Sequence, residues 1–107
     1  MAPPRPVDII GLEWDEENER HIEQHINACW IEEMIEGGDW CAFPNQPGHP
    51  PNRWLVVGRT EAGFWVTAVW REPIDGDRGR WRPITGWRST PHEKRMYRTE
   101  RERTRRR

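Results

Sequence analysis

Residues 54–70 read WLVVGRTEAGFWVTAVW, two apolar runs joined by a Gly-ended turn, and this stretch limits the fold more than any other. Each run is too short for a helix and rich in β-branched and aromatic residues, so the pair reads as a β-hairpin. A three-residue loop Glu61-Ala62-Gly63, with Gly63 in the left-handed conformation, sets Thr60 opposite Phe64. The register then follows, because a slip of one residue would exchange the two faces. One face carries Trp54, Val56, Gly58, Phe64, Val66, Ala68 and Trp70, an apolar surface for helices. The other sets Arg53 opposite Arg71, Leu55 opposite Val69, and Arg59 opposite Trp65. Arg59 is always charged and ends an apolar run beside the turn. It is either a solvated edge charge or aimed at a ligand.

The flanking segments supply helices and further strands. In WDEENERHIEQHI, Asp15 is placed to cap a helix whose first turn is acidic, which suits the helix dipole. Trp14, Asn18, His21, Ile22 and His25 share one stripe, with Glu16, Glu19 and Glu23 opposite. A second, short helix follows, with Asn27 as cap, an apolar stripe of Trp30, Ile31, Met34 and Ile35, and Gly37-Gly38 as its stop. Residues 39–43 read as a short strand before a Pro-rich loop. DGDRG makes the next turn, and RWRPITGWR the last strand, in which Arg80, Arg82 and Arg88 alternate with Trp81 and Trp87. Thr90, Pro91 and Glu93 open a final helix with a capping box, with Met96 and Tyr97 on a thin apolar face. The order α-α-β-β-β-β-α implies an α+β protein: a three- to four-stranded antiparallel sheet, helices on one face, and the Arg-bearing face open. The chain divides into a flexible Pro-rich lead (1–8), a single domain (9–98) and a basic tail (99–107).

The 107 residues suit one domain. They are 34% apolar and 33% charged, a lean core that eight Trp enlarge, since each can bury roughly 150–250 Å². The net charge of −1 conceals a division. Up to position 50 there are two basic and eleven acidic residues; beyond it, fifteen basic and seven acidic. All but Lys94 of the seventeen basic side chains are Arg, which offers phosphate a planar fork and stacks on bases. A polyanion-facing surface and an ordinary solvated one both fit this pattern. Two Cys are too few for a disulfide framework, and no apolar run approaches the ~18 residues of a membrane span. A cytoplasmic protein without membrane attachment is expected.

Several side-chain groups could carry chemistry. His21, His25 and Cys29 have helical-turn spacing, with Cys41 and His49 as completions of a metal site. A new helix starting at Asn27 rotates Cys29 away from the pair, so no metal is assigned. The two His suit proton transfer, or equally a hydrogen-bonded pair fastening helix to sheet. On the Arg face, phosphate contacts could position nucleic acid while Trp65, Trp81 or Trp87 stack on unpaired bases; the alternative is a solvated sheet face. No nucleophile motif, phosphate loop or paired-carboxylate signature is present, and no cofactor is implied.

WDEENERHIEQH, VVGRTEAG and ITGWRSTPHEKRMY, in this order and spacing, resemble the BrnT toxins over about residues 12–98. The resemblance implies a RelE-like fold, a ribonuclease that arrests translation, and neutralisation by a small DNA-binding antitoxin in a toxin–antitoxin hetero-oligomer. His25 matches the family's helix-ending His and Arg59 its hairpin Arg. The chain departs from the family where Gln24 replaces a Lys, where the Gly after the His is missing, and where Trp87 replaces an Arg, with Arg88 one place along. It reads as a divergent branch. The expected site combines Arg59 with His25 or His21 as metal-independent catalytic groups, a substrate 2′-hydroxyl attacking. Arg53, Arg71, Arg82, Arg88 and Trp65 would bind the RNA. The alternative is a non-catalytic RNA- or partner-binding module that keeps the fold and has lost cleavage.

Overall fold

The structure, a computed structural model, describes residues 11–37, 39–44, 50, 52–73 and 80–105. The Pro-rich lead, the loop containing His49 and the Asp-Gly turn fall outside the described residues. The elements are β1 (Gly11–Leu12), α1 (Glu16–Glu23), α2 (Cys29–Gly37), β2 (Trp40–Pro44), β3 (Arg53–Arg59), β4 (Trp65–Arg71), β5 (Arg80–Arg88) and α3 (Pro91–Arg105). They form an α+β protein around one five-stranded sheet, ordered β1-β5-β4-β3-β2.

The hairpin has the register its alternation requires. Arg53 pairs with Arg71, Leu55 with Val69 and Arg59 with Trp65. Gly63 turns the chain at φ 93°, and Thr60 and Phe64 face each other through Thr60 N donating to Phe64 O at 3.0 Å. Gly58 is needed for a different reason. A Cβ there would collide with the carbonyl oxygen of Asp39 and lie 2.7 Å from Trp40 Cβ, so only Gly lets β2 come this close.

The three helices among the described residues start as their caps dictate. Asp15 and Asn18 form a reciprocal box at α1. Asn27 Oδ1 accepts from Cys29 N at 2.9 Å, and Thr90 Oγ1 accepts from Glu93 N at 3.2 Å. The helices α1 and α2 and the turn between them bury Ile22, Ile26, Ile31 and Met34 against Trp54, Val56, Val66, Ala68 and Trp70. Trp54, Trp70 and Trp81 meet edge to face or tilted, with centroids 5.7 and 6.3 Å apart. At roughly 25 cal/mol per Å², a buried Trp contributes about 4–6 kcal/mol as an upper bound, which is how so lean a composition closes a core.

Three expectations are corrected. The sheet is mixed and five-stranded rather than three- to four-stranded and antiparallel. Residues 11–12 join it parallel to β5, and the ladder continues with Glu13 N donating to Trp81 O at 2.9 Å. The helices do not all lie on one face, and the Arg-bearing face is not open. Leu55, Val57 and Val69 leave the middle of that face apolar, and α3 covers it with Tyr97 and Met96. Finally, residues 99–105, read as a tail, continue α3, because Arg and Glu are good helix formers and Arg101 is anchored to β2. Among the described residues, no helix is long and apolar enough to cross a membrane.

Candidate functional site

The arginines of the sheet separate into two groups at opposite ends of β3 and β4. Six residue steps at ~3.4 Å put Arg53 and Arg59 about 20 Å apart. At the Arg53 end, Arg53, Arg71 and Arg82 occupy paired positions across three strands. Like charges placed opposite each other destabilise a sheet, and here carboxylates relieve them. Glu13 Oε2 accepts from Arg71 Nη2 at 3.2 Å, and Asp15 Oδ2 accepts from Arg82 Nη1 at 2.7 Å. Arg53 Nη1 donates to Asn52 at 2.9 Å. The Arg82 guanidinium, followed by the Asn18 backbone N–H, lowers the Asp15 carboxyl from 3.8 to about 2, and Asp15 in turn raises Arg82. These cations hold β1 and the start of α1 to the sheet.

The Arg59 end is built differently. A groove of about 830 Å³ opens there between β3, β4 and α3, lined by Asp39, Arg59, Trp65, Tyr97, Arg98 and Arg101 among others. The guanidinium of Arg59, the Nζ of Lys94 and the guanidinium of Arg98 stand 5.1, 5.5 and 5.5 Å from the Trp65 ring centroid. Arg59 and Arg101 stand 5.9 and 5.4 Å from that of Tyr97. Asp39 binds three of the lining groups: it accepts from Arg59 Nε at 3.1 Å, from Arg101 Nη2 at 3.5 Å and from the Tyr97 hydroxyl. Arg59 N also donates to the Asp39 carbonyl at 2.9 Å. Ring faces and the Asp39 carboxylate help hold the cations together. Exposed cation–π contacts are worth about 0.5–1 kcal/mol each, and exposed ion pairs about 0–1. The groove lining sets Arg59, Arg98, Arg101 and Arg105 against the carboxylates of Asp39 and Glu102, so an anion there would meet net positive charge.

The geometry of α3 is set by Glu93. Its carboxylate accepts from Thr90 N at 2.8 Å, Thr67 Oγ1 at 3.0 Å and Trp87 Nε1 at 3.0 Å. Trp87 thus holds the helix to the sheet. The neighbouring Arg88 belongs to the opposite strand face and stands 5.6 Å from the Trp30 ring centroid.

Of the residues expected to form one site, the structure brings together Arg59 and Trp65 and separates the others. Arg53, Arg71 and Arg82 lie at the far end, and Arg88 faces α2. The His pair does not join Arg59. α1 packs on the other face of the sheet, where His21 and His25 are exposed, their rings 5.9 Å apart. His21 Nε2 lies 3.2 Å from Thr85 Oγ1, the helix-to-sheet fastening that was the alternative to proton transfer. Cys29 is exposed and Cys41 buried, and no cluster of metal-binding side chains occurs among the described residues. Lys94, Tyr97, Arg98 and Arg101 were not anticipated. Lys94, Tyr97 and Arg98 stand at i, i+3 and i+4 on the helix that the capping box opens, and Arg101, at i+7, carries the same face into the residues read as a tail. Asp39 has no sequence signal; only the fold brings it to Arg59.

Comparison with family models, with curated proteins and with solved structures returns no match.

Proposed function

We propose that the groove between the β3–β4 hairpin and α3 binds single-stranded RNA, and that the protein is the toxin of a toxin–antitoxin pair with a RelE-like, BrnT-like fold acting on RNA in the cytoplasm. The observation that carries this reading is the gathering of Arg59, Lys94 and Arg98 around one Trp ring. Phosphate oxygens would take the cations, and ring faces would take bases. The element order and the resemblance at Arg59 support the family assignment.

Cleavage in this reading is an in-line attack. The 2′-oxygen bonds to phosphorus, the bond from phosphorus to the 5′-oxygen breaks, and a proton moves from the 2′-hydroxyl to a base and from an acid to the leaving oxygen. Arg59 and Arg101 would stabilise the charge that develops on the phosphate. Asp39 and Tyr97, already joined by a hydrogen bond, take the proton-handling role that His25 and His21 were expected to hold. The separation of the His pair from Arg59 favours, as a second reading, a module that binds RNA or its partner without cutting. The antitoxin, a small DNA-binding protein, would cover the same groove with an acidic segment.

RNA binding to the full chain should weaken with salt at a log–log slope of about −2 to −3, at ~0.7 per phosphate contact. Arg59→Ala should lower affinity roughly 10- to 100-fold, the worth of one charge-assisted hydrogen bond, while Arg53→Ala changes it less than about twofold. A flat slope, or equal losses from both variants, would overturn the assignment. Intact RNA after incubation with protein that still arrests growth would select the non-cutting reading.

A further inference from the structure

We propose that Trp30 and Phe64 form a base-stacking subsite for the nucleotide adjoining the phosphate held in the α3 groove; this rests on the RNA reading above. Phe64 follows the Gly63 turn and is 43% exposed, the large hydrophobic side chain left open among the described residues. Water would be expected to select a polar residue there. Instead Phe64 is stacked on Trp30, with centroids 4.4 Å apart and planes at 11°. Two rings locked together present a rigid flat surface at little entropic cost.

The surroundings suit a nucleotide. A hollow of about 290 Å³ beside the pair is lined by Trp30, Phe64, Trp65, Arg88, Ser89 and Lys94 together with Gly63. An apolar cavity of ~150 Å³ accommodates benzene, so a single base fits. Trp65 lines both this hollow and the α3 groove, and Lys94 lies beside that ring. The two hollows therefore meet around the tip of the hairpin. A strand whose phosphate lies against Arg59 and Arg98 would pass Lys94 and set its next base on Phe64. Arg88, 5.6 Å from the Trp30 ring centroid, lines the same hollow and adds positive charge there. A duplex could not use this surface, because its bases are already stacked.

The test compares an adenylate RNA hexamer with an abasic ribose-phosphate chain of equal length, using the full protein and its Phe64→Ala, Phe64→Trp and Arg59→Ala variants, each checked by thermal melting. The intact protein should bind the hexamer about 5- to 150-fold more tightly than the abasic chain, the range of one stacked base. Phe64→Ala should erase most of that preference without weakening the abasic chain, and Phe64→Trp should keep it. Hexamer binding that depends on Arg59 but is unchanged in Phe64→Ala would overturn the subsite and leave the RNA reading standing. Failure of both chains to bind would overturn the RNA reading and the subsite with it.

Discussion

At one end of the sheet Arg71 and Arg82 meet Glu13 and Asp15; at the other, Arg59, Lys94, Arg98 and Arg101 crowd around Trp65 and Tyr97, and Arg59 and Arg101 share Asp39. Nothing about an arginine in the sequence separates these cases. Both sets sit on strands or a helix beside tryptophan. The first set is matched, nearly charge for charge, by residues at the start of the chain, so its positive charge is spent inside the protein. In the second, Arg59 and Arg101 share the single Asp39 carboxylate, and all four cations stand over ring faces, which attract a cation without cancelling its charge. Partnership, and not arginine content, separates a structural cation from one available to a ligand.

Gly58→Ala should blur the comparison most. The added Cβ meets Asp39, Trp40 and Met34, and overpacking of this kind costs about 1–3 kcal/mol. Because it displaces Asp39, it should weaken RNA binding as well as lower the denaturation midpoint. Unchanged stability would mean that β2 moves aside freely.

Arg82→Ala addresses the matched end. Arg82 is mostly covered and bonded to Asp15 at 2.7 Å, so its loss should reduce the melting temperature by a few degrees, the scale of ~1 kcal/mol in a domain this size, while RNA affinity stays within about twofold. The same contact predicts a pH dependence. Asp15 titrates lower in the folded chain than its ordinary value of 3.8. Its contribution to stability is therefore complete above that value and is lost as pH falls from 3.8 toward about 2. Melting temperatures between pH 6 and 2 should drop less steeply in Asp15→Asn than in the parent; parallel curves would show that the contact stabilises nothing.

The smallest effect is expected at His25. The side chain is exposed on the far face of the sheet from Arg59, so His25→Gln should leave RNA binding and cleavage within about twofold. A loss of ~10²-fold or more in cleavage would return the proton-transfer role to the His pair and remove Asp39 and Tyr97 from it.

The hairpin register, the three helix caps and the apolar face were legible because alternation and capping are local rules. The parallel strand at residues 11–12 was not, since two residues carry no periodicity and the pairing depends on Trp81, far along the chain. Burial of the second sheet face is encoded in Leu55, Val57 and Val69, but the arginines at both ends of those strands give the same face the pattern of a charged, open surface. For the site, Arg59 and Trp65 were visible as an unlike pair beside a turn. Of the α3 residues, Lys94, Tyr97 and Arg98 lay on the expected helix with no local rule to say what they face, and Arg101 lay in a stretch whose composition is that of a disordered basic tail as much as of a helix. Asp39 lies 20 positions before Arg59 and meets it only because Gly58 lets β2 approach.

The grip of Glu93 on Thr67, Trp87 and its own helix start does more than begin α3. A helix advances about 100° per residue, so fixing residue 93 also fixes the compass bearing of every residue after it. Tyr97 and Arg101 follow at intervals of four, so their bearings are offset from that of Glu93 by about 40° and about 80°. One alanine inserted after Arg95 would swing Tyr97, Arg98 and Arg101 by about 100° while leaving Lys94 in place. Melting measured beside an RNA titration should then show a helix that still forms but aims its cations past the groove. The protein's charge is delivered by rotation, and the lock that sets the angle contains no cation.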